Sequence, residues 1–440
     1  LSQWNYTNTP VGWQQWTRYT ANFSNPDFTD GDLDLTKVDH IAFRYHGDSD
    51  SWCDFDYIIV HQYNHLVDIP SGSKIKATYD EIQDAIDAAS DGDTIIVHDG
   101  VYEESLTINK SINLIAGSNP VIKCPATPED VYIQESSHHF EYVIAVLGGT
   151  YNSTNNTVYG PGTIHVNITG FEINGSNNGT GTSHYFAGIF IRNAIGNISN
   201  NYIHDMYGPS GNGSGEQTFG ILAYGNSDLT VYGNTIEDFS RGGIVANGDL
   251  GSLPDPVADI ENNVVMGNGL ESATDWNAEN GIQIGWEASG TVEGNEIYNC
   301  MCNSPGWASS GIIITGTIEV IVEDNDVHGN DDGIAVIGYE DYKNAPCYNI
   351  TIKNNQVHSN VYGISAEANV NHTFIENNTI YENDYYGIDV WAYNFGWETS
   401  TPCNITIQNN KIYNHTYCGI YLSDVYDNIS IDQNNIHHNG

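Results

Sequence analysis

A short phrase recurs along the second half of this sequence and limits the folds that the chain can adopt. It reads NNTIYENDYYGIDV at residues 377–390, and close variants occupy residues 324–336, 354–366 and 409–422. Aligned copies share an asparagine column, and Ile or Val stands two residues after every member. The column comprises Asn201, Asn234, Asn263, Asn295, Asn325, Asn355, Asn378, Asn410 and Asn434. Copies lie about 22 to 38 residues apart, a period typical of solenoids and other repeat arrays.

The residues around each column asparagine predict short β-strands. β-Branched runs precede the column, as in LTVYGN, GTVEGN, ITIKNN and ITIQNN, and Gly-Ile pairs follow it. Coiling such units would stack each strand on its counterpart about 4.8 Å away. Each column amide would then bond to the next coil, and asparagine also tolerates the left-handed backbone of a tight corner. The sequence therefore predicts an all-β parallel β-helix, in which a coil buries its apolar side only against its neighbours.

The phrase Asn-x-Ile followed by Asn-x-x-Gly-Ile resembles the right-handed parallel β-helix repeat of the pectin-lyase-like superfamily. Residues 77–117, which begin ATYDEIQDAIDAASDGDTIIVHDG, look similar to the start of that superfamily's NosD-like repeat proteins. The resemblance implies a right-handed solenoid over residues 77–440, similar to β-helix proteins of archaeal surface layers and sheaths. Because many unrelated functions share this fold, the resemblance implies architecture rather than chemistry.

Residues 77–117 are predicted to form the N-terminal cap and the first coils, and residues 118–440 the repeats. Thr78 and Glu81 match a capping box that would start a short helix. One apolar stripe follows on that helix and consists of Ile82, Ala85, Ile86 and Ala89. An amphipathic helix at this position would close the open end of the coil.

Residues 1–66 differ from the repeats, and the sequence predicts a separate β-rich segment there, before a β-helix over residues 67–440. Residues 32–62 resemble the last strands of an extracellular jelly-roll module. Because such a module needs more strands, the missing ones would come from a longer parent chain or from a neighbouring chain by strand addition. The start at Leu1 and the end in the middle of a repeat likewise predict a polypeptide trimmed from a longer parent.

The charge balance excludes two classes of partner. Asp and Glu number 56 whereas Lys and Arg number only 12, which gives a formal net charge of −44. Nucleic acids and anionic membranes bind to clustered Lys and Arg, so neither is expected as a partner. No apolar run approaches the roughly 20 residues of a membrane-spanning helix, and no span is expected in this chain.

A high density of N-x-S/T sequons predicts a glycosylated extracellular surface. The candidate acceptors are Asn5, Asn22, Asn109, Asn152, Asn155, Asn167, Asn174, Asn178, Asn197, Asn212, Asn349, Asn371, Asn377, Asn404, Asn414 and Asn428. The cysteines number seven and leave two alternatives open, disulfide staples or scattered structural thiols.

The outward positions of the predicted coil show no catalytic constellation. In the Gly-Ile strand the residue after Ile points outward, and these residues are Phe190, Leu222, Val245, Gln283, Ile313, Ala335, Ser365, Asp389 and Tyr421. A stripe that is mostly apolar requires a cover, either the chain's own loops or another subunit. Arg192 and Arg241 are among the few bases of the coil, and Asp331-Asp332 is interpreted as turn chemistry.

Two sets of residues are candidate metal ligands. Asp30, Asp32 and Asp34 resemble the spacing of a calcium site but lack the glycine of an EF-hand loop. His328 and His358 either hold a transition metal jointly or stack as rings on consecutive coils. A third column stacks charges that repel unless Lys or a cation bridges them. It consists of Glu261, Glu293, Glu323, Lys353, Glu376, Gln408 and Asp432.

The sequence favours an extracellular, glycosylated structural protein that assembles with copies of itself into a surface layer, sheath or filament. The alternative is a polysaccharide lyase, epimerase or hydrolase that works on an outer face of the coil. A third hypothesis is an adhesin that binds extracellular polysaccharide through loop residues such as Trp286, Trp391 and Trp397, which otherwise pack the loops. The sequence requires no cofactor, and it allows calcium.

Overall fold

The structure is a computed structural model that describes residues 66–71, 74–180, 185–208, 217–248, 253–269, 278–302, 308–340, 344–392, 400–424 and 427–440. The chain divides into two compact units, Leu1–Asn64 and His65–Gly440. All of the first unit lies outside the described residues. The predicted jelly-roll segment and the calcium candidates Asp30, Asp32 and Asp34 fall there and stay predictions.

The described part of the second unit consists of short strands and one short helix, and its elements follow in chain order. The first are β1 (Val67–Ser71), β2 (Lys74–Tyr79), α1 (Ile82–Ala88), β3 (Asp93–Val97), β4 (Val101–Glu103), β5 (Leu106–Ile108), β6 (Ile112–Ala116), β7 (Val121–Lys123), β8 (Glu129–Ile133), β9 (His138–Leu147), β10 (Thr150–Asn152), β11 (Thr157–Tyr159), β12 (Ile164–Thr169) and β13 (Glu172–Asn174). The next are β14 (Tyr185–Arg192), β15 (Ala194–Ser199), β16 (Tyr202–His204), β17 (Gln217–Tyr224), β18 (Asp228–Tyr232), β19 (Thr235–Ile236), β20 (Gly242–Asn247), β21 (Val257–Glu261), β22 (Val264–Met266), β23 (Asn280–Gly285), β24 (Ser289–Glu293), β25 (Glu296–Tyr298) and β26 (Ser310–Thr315). The last are β27 (Val320–Glu323), β28 (Asp326–His328), β29 (Asp332–Gly338), β30 (Cys347–Lys353), β31 (Gln356–His358), β32 (Tyr362–Ala368), β33 (Val370–Glu376), β34 (Thr379–Tyr381), β35 (Tyr386–Trp391), β36 (Cys403–Gln408), β37 (Lys411–Tyr413), β38 (Cys418–Ser423), β39 (Asp427–Asp432) and β40 (Asn435–His437).

These strands form three long sheets, because successive coils stack like on like. The first sheet follows the order β2-β1-β3-β6-β12-β15-β18-β21-β24-β27-β30-β33-β36-β39. The second follows β10-β11-β8-β9-β14-β17-β20-β23-β26-β29-β32-β35-β38, with β5 paired to β9. The third follows β4-β7-β13-β16-β19-β22-β25-β28-β31-β34-β37-β40. From β12 onward, each strand pairs in parallel with its counterpart in the next coil, as the sequence predicts.

The interior of the coil is a continuous stack of aliphatic side chains. Ile334 and Val336 of β29 are fully buried, and their partners in β32 are Ile364 and Ala366. Because side chains alternate across a strand, the residues between them, such as Ala335 and Ile337, point outward. The second sheet therefore has an inner face that fills the core and an outer face on which function can be built.

The column asparagines form the internal ladder that the sequence predicts, from Asn201 to Asn434. At a representative rung, the backbone N–H and the Nδ2 of Asn295 both donate to Asn325 Oδ1 at 2.9 Å. The left-handed corner, however, lies one residue earlier than expected. Asn354 and Asn377 have φ values of 60° and 59° and precede the column members Asn355 and Asn378. The side chains of the column asparagines form hydrogen bonds between coils, and the residues that precede them adopt the left-handed backbone that turns the chain.

A second ladder runs parallel to the first and was missed by the sequence reasoning. Asn330 Nδ2 donates to Asn360 Oδ1, and Asn360 Nδ2 donates to Asn383 Oδ1, both at 3.0 Å. In the next coil His415 takes the asparagine position, and its Nδ1 accepts the Asn383 backbone N–H at 3.2 Å. These residues are the second asparagine of the repeated phrase, so the signal was present in each copy.

The helix α1 buries Ile82, Ala85 and Ile86 at the N-terminal end of the coil, as predicted. The predicted capping box is wrong. Thr78 lies in β2, where its hydroxyl donates to Asp68, and the N-cap Glu81 makes no side-chain cap. Instead the Glu104 carboxylate, from the turn after β4, accepts the backbone N–H groups of Ile82 and Gln83 at 2.9 Å. A distant carboxylate satisfies the helix start, which a local motif cannot reveal.

The N-terminal part of the apolar outer stripe is covered by the chain itself. Strand β8 lies antiparallel to β9, and the hairpin β10–β11 extends from it. We call residues 129–137 and 148–162, which precede and follow β9, the flap. Its side chains Val131, Ile133 and Val158 pack with Phe190 and Leu222 of the stripe in a second hydrophobic core. The expectation that intrachain elements cover the stripe is therefore met for this part of the sheet.

Cysteine usage in the described coils is that of structural thiols. Four cysteines there are free thiols, namely Cys124, Cys300, Cys347 and Cys418. Burial raises the pKa of the Cys124 and Cys347 thiols to about 12. Among the described residues, no helix has both the length and the apolar character that crossing a membrane requires.

Candidate functional site

Three acidic side chains gather on the outer face of the second sheet, in three consecutive coils. Asp332 begins β29, Glu367 lies near the end of β32, and Asp389 lies in the middle of β35. They are nearly buried, with 6%, 8% and 6% of their surface exposed. Buried carboxylates are costly unless they are paired or protonated, so this acid cluster requires a physical explanation.

Strand register places Glu367 and Asp389 diagonally across two neighbouring strands. Ser365 pairs with Asp389, and Glu367 pairs with Trp391. Diagonal neighbours in adjacent strands lie about 7–8 Å apart. The Ser365 hydroxyl donates to Asp389 Oδ1 at 2.9 Å, and the Trp391 side chain donates a hydrogen bond to Glu367. Each carboxylate therefore has a partner in the adjacent strand of the same sheet.

Burial controls the charge of this cluster. Desolvation, assisted by the nearby Asp389, raises the pKa of Glu367 to about 8. Desolvation also raises the pKa of Asp389 to about 7, although the Ser365 hydrogen bond opposes the shift. The pKa of Asp332 is raised as well, first by burial and then by Glu367 and Asp389. At neutral pH the cluster therefore retains at least one proton, which is the state that a general acid needs.

Aromatic rings surround the acid cluster. Tyr362 stacks on Tyr385 at 5.2 Å, and Tyr385 stacks on Tyr417 at 4.9 Å. Tyr386 stacks on Tyr421 at 4.4 Å in the same sheet. Tyr417 is 52% exposed and Trp391 37% exposed. Rings with one apolar face and a polar tip suit a ligand that presents both CH surfaces and hydroxyl groups.

The bases predicted near the outer face have other partners. Arg192 is fully buried, and its Nη2 lies 2.8 Å from Glu135 Oε1 and 3.0 Å from the Gly160 carbonyl. Its Nη1 donates to the Gly148 carbonyl, so it clamps the flap to the sheet. Arg241 Nη1 donates to the Ala278 carbonyl at 2.8 Å. Both arginines thus donate to groups outside the acid cluster.

The Asp331-Asp332 pair divides into two roles. Asp331 accepts the backbone N–H groups of Cys302 at 2.8 Å and Ser309 at 3.0 Å, which is turn chemistry as predicted. Asp332 enters strand β29 and joins the acid cluster, so the turn interpretation is wrong for this residue. Position decides the difference, because Asp332 begins a strand and is 6% exposed, whereas Asp331 caps a turn.

The predicted charge column on the first sheet is present and partly bridged. Glu261 and Glu293 lie side by side in register. Lys353 Nζ forms an ion pair with Glu323 at 2.9 Å, and Gln408 Nε2 donates to Glu376 at 2.7 Å. One lysine and one glutamine thus offset part of the repulsion along this surface.

His328 and His358 lie within a ladder of stacked rings on the third sheet. Tyr298, His328 and His358 stack at 5.2 and 5.1 Å, and the ladder continues over Tyr381 and Tyr413. A ring nitrogen offers its lone pair in the plane of the ring, so two stacked rings direct their lone pairs along parallel lines. A shared ion would need one ring to turn, and metal binding by this pair stays a prediction.

Several sequons lie inside outer amide ladders. Asn197 Nδ2 donates to Asn167 Oδ1 at 2.8 Å, and Asn404 Nδ2 donates to Asn371 Oδ1 at 2.9 Å. N-glycosylation uses this nitrogen, so a glycan would replace a rung of the ladder. Exposed sequons without this arrangement are Asn109, Asn152, Asn155, Asn349, Asn377 and Asn414. Asn5, Asn22 and Asn212 lie outside the described residues, and occupancy stays a prediction at every site.

The loop tryptophans occupy different environments. Trp286 stacks on Tyr339 at 5.8 Å and 9°, which is loop packing. Trp391 ends β35 beside Glu367 and is part of the candidate site. Trp397 lies outside the described residues.

Sequence reasoning found Asp389 but missed its acidic neighbours. The column that it followed contains one residue per coil, the one after the Gly-Ile pair. Glu367 stands two residues beyond Ser365 and therefore faces the same side of the sheet. Reading the next outward column would have found it.

Comparison with known proteins confirms the fold. A family model described as right-handed beta helix region matches residues 259–401, so the predicted right-handed parallel β-helix of the pectin-lyase-like type is confirmed. The model described as Protein of unknown function (DUF1565) matches residues 68–304. No curated protein matches the sequence significantly.

Solved structures with a similar fold have low sequence identity to this chain. PfbA, a surface adhesin of Streptococcus pneumoniae, is 16% identical with a TM-score of 0.55, over 80% of this chain and 85% of that one. The periplasmic alginate epimerase AlgG is 14% identical with a TM-score of 0.48, over 78% and 85%. An alginate lyase from Paenibacillus sp. is 16% identical with a TM-score of 0.44, over 79% and 96%. At such identities the likeness shows the fold alone.

Proposed function

We propose a function from the geometry of the site, because this chain belongs to the family described as Protein of unknown function (DUF1565), and that membership assigns no chemistry. The proposed function is that of an extracellular enzyme that hydrolyses a neutral glycan. The acid cluster on the outer face of the second sheet carries the proposal. Sequon density supports the extracellular location.

Glycoside hydrolysis needs two carboxyl groups with different charge states on either side of the bond. Glu367, whose pKa is about 8, keeps its proton at neutral pH and donates it to the glycosidic oxygen as the bond breaks. Asp389 ionises more easily and supplies the negative charge, either as nucleophile or as base towards water. Their diagonal placement, about 7–8 Å between backbones, is compatible with the carboxyl separations of about 5–9.5 Å that glycosidases use.

The charge of the chain favours a neutral substrate. A uronate polymer would meet a surface with a formal net charge of −44 and few bases. Arg192 and Arg241 make their hydrogen bonds to protein groups. A polyanion would therefore need a bridging cation, whereas a neutral glycan stacks on Tyr417 and Trp391 without one.

The test is hydrolysis of a panel of neutral polysaccharides by the full chain, measured as release of reducing ends. Glu367→Gln and Asp389→Asn should each lower the rate by about 10²–10⁴-fold. Glu376→Gln, a carboxylate on the first sheet, is the matched control and should leave the rate unchanged. Equal rates in Glu367→Gln and the wild type would refute the assignment.

An adhesin is the second candidate, and the exposed rings favour it. Tyr385, Tyr417 and Trp391 could hold a sugar chain without cleaving it. Glycan binding that Tyr417→Ala weakens, together with no reducing ends from any bound glycan, would identify an adhesin rather than a hydrolase.

One of the observations that supported the surface-layer hypothesis now has another explanation. The apolar stripe that suggested an interface between subunits is covered near Phe190 and Leu222 by the flap. Electron microscopy of native cell-surface material still decides this point, since regular tubes or sheets of this chain would establish an architectural subunit. Calcium binding in the N-terminal segment stays a prediction, and it is compatible with each of the three hypotheses.

A further inference from the structure

Three metal-ligating side chains converge on the third sheet, far along the chain from the acid cluster. His204 ends strand β16, Asp205 follows it, and Asp238 comes two residues after β19 in the next coil. One ligand atom of each lies within 4.8 Å of the other two. Within the described coils, no other set of three His, Cys, Asp or Glu side chains converges in this way.

The imidazole of His204 is oriented as a metal ligand would be. Its Nδ1 lies 3.0 Å from Asp205 Oδ2, and its Nε2 lies 3.3 Å from Glu172 Oε1. Its ring stacks on Tyr202 at 4.4 Å. Histidines that bind a metal through one nitrogen almost always donate the other N–H to a carboxylate, which fixes the tautomer. Glu172 occupies that supporting position, in the preceding coil.

The spacing of the donor atoms fits a small ion. Nitrogen and oxygen ligands lie about 2.0–2.2 Å from Zn²⁺, so two ligands at the tetrahedral angle are about 3.4 Å apart. His204 Nδ1 and Asp205 Oδ2 are 3.0 Å apart, so a small opening of this contact would admit the ion. Asn174 Nδ2 holds Asp205 Oδ2 from the other side at 3.1 Å. A modest shift of the Asp238 side chain would complete the set.

The local charge also favours a cation. Glu172 and Asp205 contact one imidazole, Asp238 lies beside it, and no Lys or Arg in the described part of the chain forms an ion pair with these carboxylates. A divalent ion would offset this repulsion, because it places two positive charges between the carboxylates.

We infer that His204, Asp205 and Asp238 bind a first-row divalent transition ion such as Zn²⁺, and that Glu172 positions His204 for it. An imidazole ligand favours such an ion over Ca²⁺ and Mg²⁺, which prefer sites made of oxygen alone. Three protein ligands leave at least one position open for water. The ion would join two consecutive coils at a corner that otherwise concentrates negative charge.

The competing arrangement contains no metal. A protonated His204 would then form ion pairs with Glu172 and Asp205 and partly neutralise the corner by itself. The two arrangements differ in a measurable way, because only the first predicts stoichiometric binding that depends on Asp238.

Co²⁺ is the probe, since its absorption spectrum distinguishes nitrogen and oxygen ligands from thiolates. The full chain, stripped with a chelator, should bind one Co²⁺ with d–d bands and without a thiolate charge-transfer band, and Zn²⁺ should displace it. His204→Gln and Asp238→Asn should each weaken binding by 100-fold or more. Glu172→Gln should weaken it by about 10-fold, the lower end of the effect of supporting ligands.

His139→Gln is the matched control, because that ring also lies against a tyrosine ring, that of Tyr132, and contacts a carboxylate, that of Asp130. It should leave Co²⁺ affinity unchanged. Circular dichroism of the metal-free variants verifies that each one folds. No Co²⁺ binding by the wild type, a thiolate band, or equal affinity in wild type and Asp238→Asn would overturn the inference.

Discussion

The asparagine ladder allows a stability prediction whose size follows from the bonds of one rung. Asn325 Oδ1 accepts the backbone N–H and the Nδ2 of Asn295, both at 2.9 Å. Asn325 Nδ2 donates to the Val292 carbonyl and to Asn355 Oδ1, also at 2.9 Å. Asn325→Ala removes all four bonds inside the coil.

The cost is dominated by the groups that lose their partner. The Asn295 backbone N–H and one of its two Nδ2 hydrogens stay buried without an acceptor, and each such group costs about 1–3 kcal/mol. We therefore expect Asn325→Ala to lower the free energy of unfolding by about 3–5 kcal/mol. Gln356 is an exposed residue one coil further on, and Gln356→Ala should change the free energy of unfolding by less than about 0.5 kcal/mol.

Urea denaturation followed by circular dichroism measures the whole unit, and hydrogen exchange of β27 and β28 measures the local effect. Because solenoids can unfold in sections, the two readouts are needed together. The reasoning fails if Asn325→Ala and Gln356→Ala have the same denaturation midpoint and the same exchange protection in these strands.

Three further predictions concern buried ionisable groups. Burial lowers the pKa of His415, so its stabilising contribution is present above the unfolded pKa and decreases as pH falls. His415→Asn should remove this loss of stability between pH 7 and 5, measured as the melting temperature at each pH. The raised pKa of Glu367 gives the opposite pH dependence, so the free energy of unfolding should decrease as pH rises through about 8. In Glu367→Gln, urea titrations should show a smaller change of this free energy from pH 6 to 9. Arg192→Met leaves the partly buried Glu135 without its ion pair, and we expect the free energy of unfolding to fall by about 3 kcal/mol and proteolysis of the flap near Asn156 to become faster; unchanged cleavage would contradict the clamp.

The fold could be predicted from sequence because the solenoid repeats its rules locally. Each column asparagine, such as Asn295 or Asn355, stands at a fixed distance from the aliphatic residue that it supports, so the interior and the ladder follow from periodicity. The capping of α1 could not be predicted in this way. Glu104 reaches the helix start from 22 residues away, and only the closed coil brings them together.

The candidate site was less predictable for the same physical reason. Asp389 was visible as the one carboxylate of its column, but its chemistry depends on Glu367 in the preceding coil and on burial of both. Burial of these side chains depends on the assembled outer face, and sequence periodicity does not predict it. Likewise His204 and Asp238 are separated by a coil whose length varies, so their convergence depends on three-dimensional register.

The ladder has a consequence for how proteins of this design can change over evolutionary time. The same bond of 3.0 Å joins Asn355 to Asn378 across 23 residues and Asn201 to Asn234 across 33 residues. Insertions and deletions of up to ten residues between rungs are therefore absorbed at the corners, and neighbouring coils keep their alignment. The outer surface can diversify by loop length while the interior stays unchanged, and grafted segments should be tolerated at the same corners.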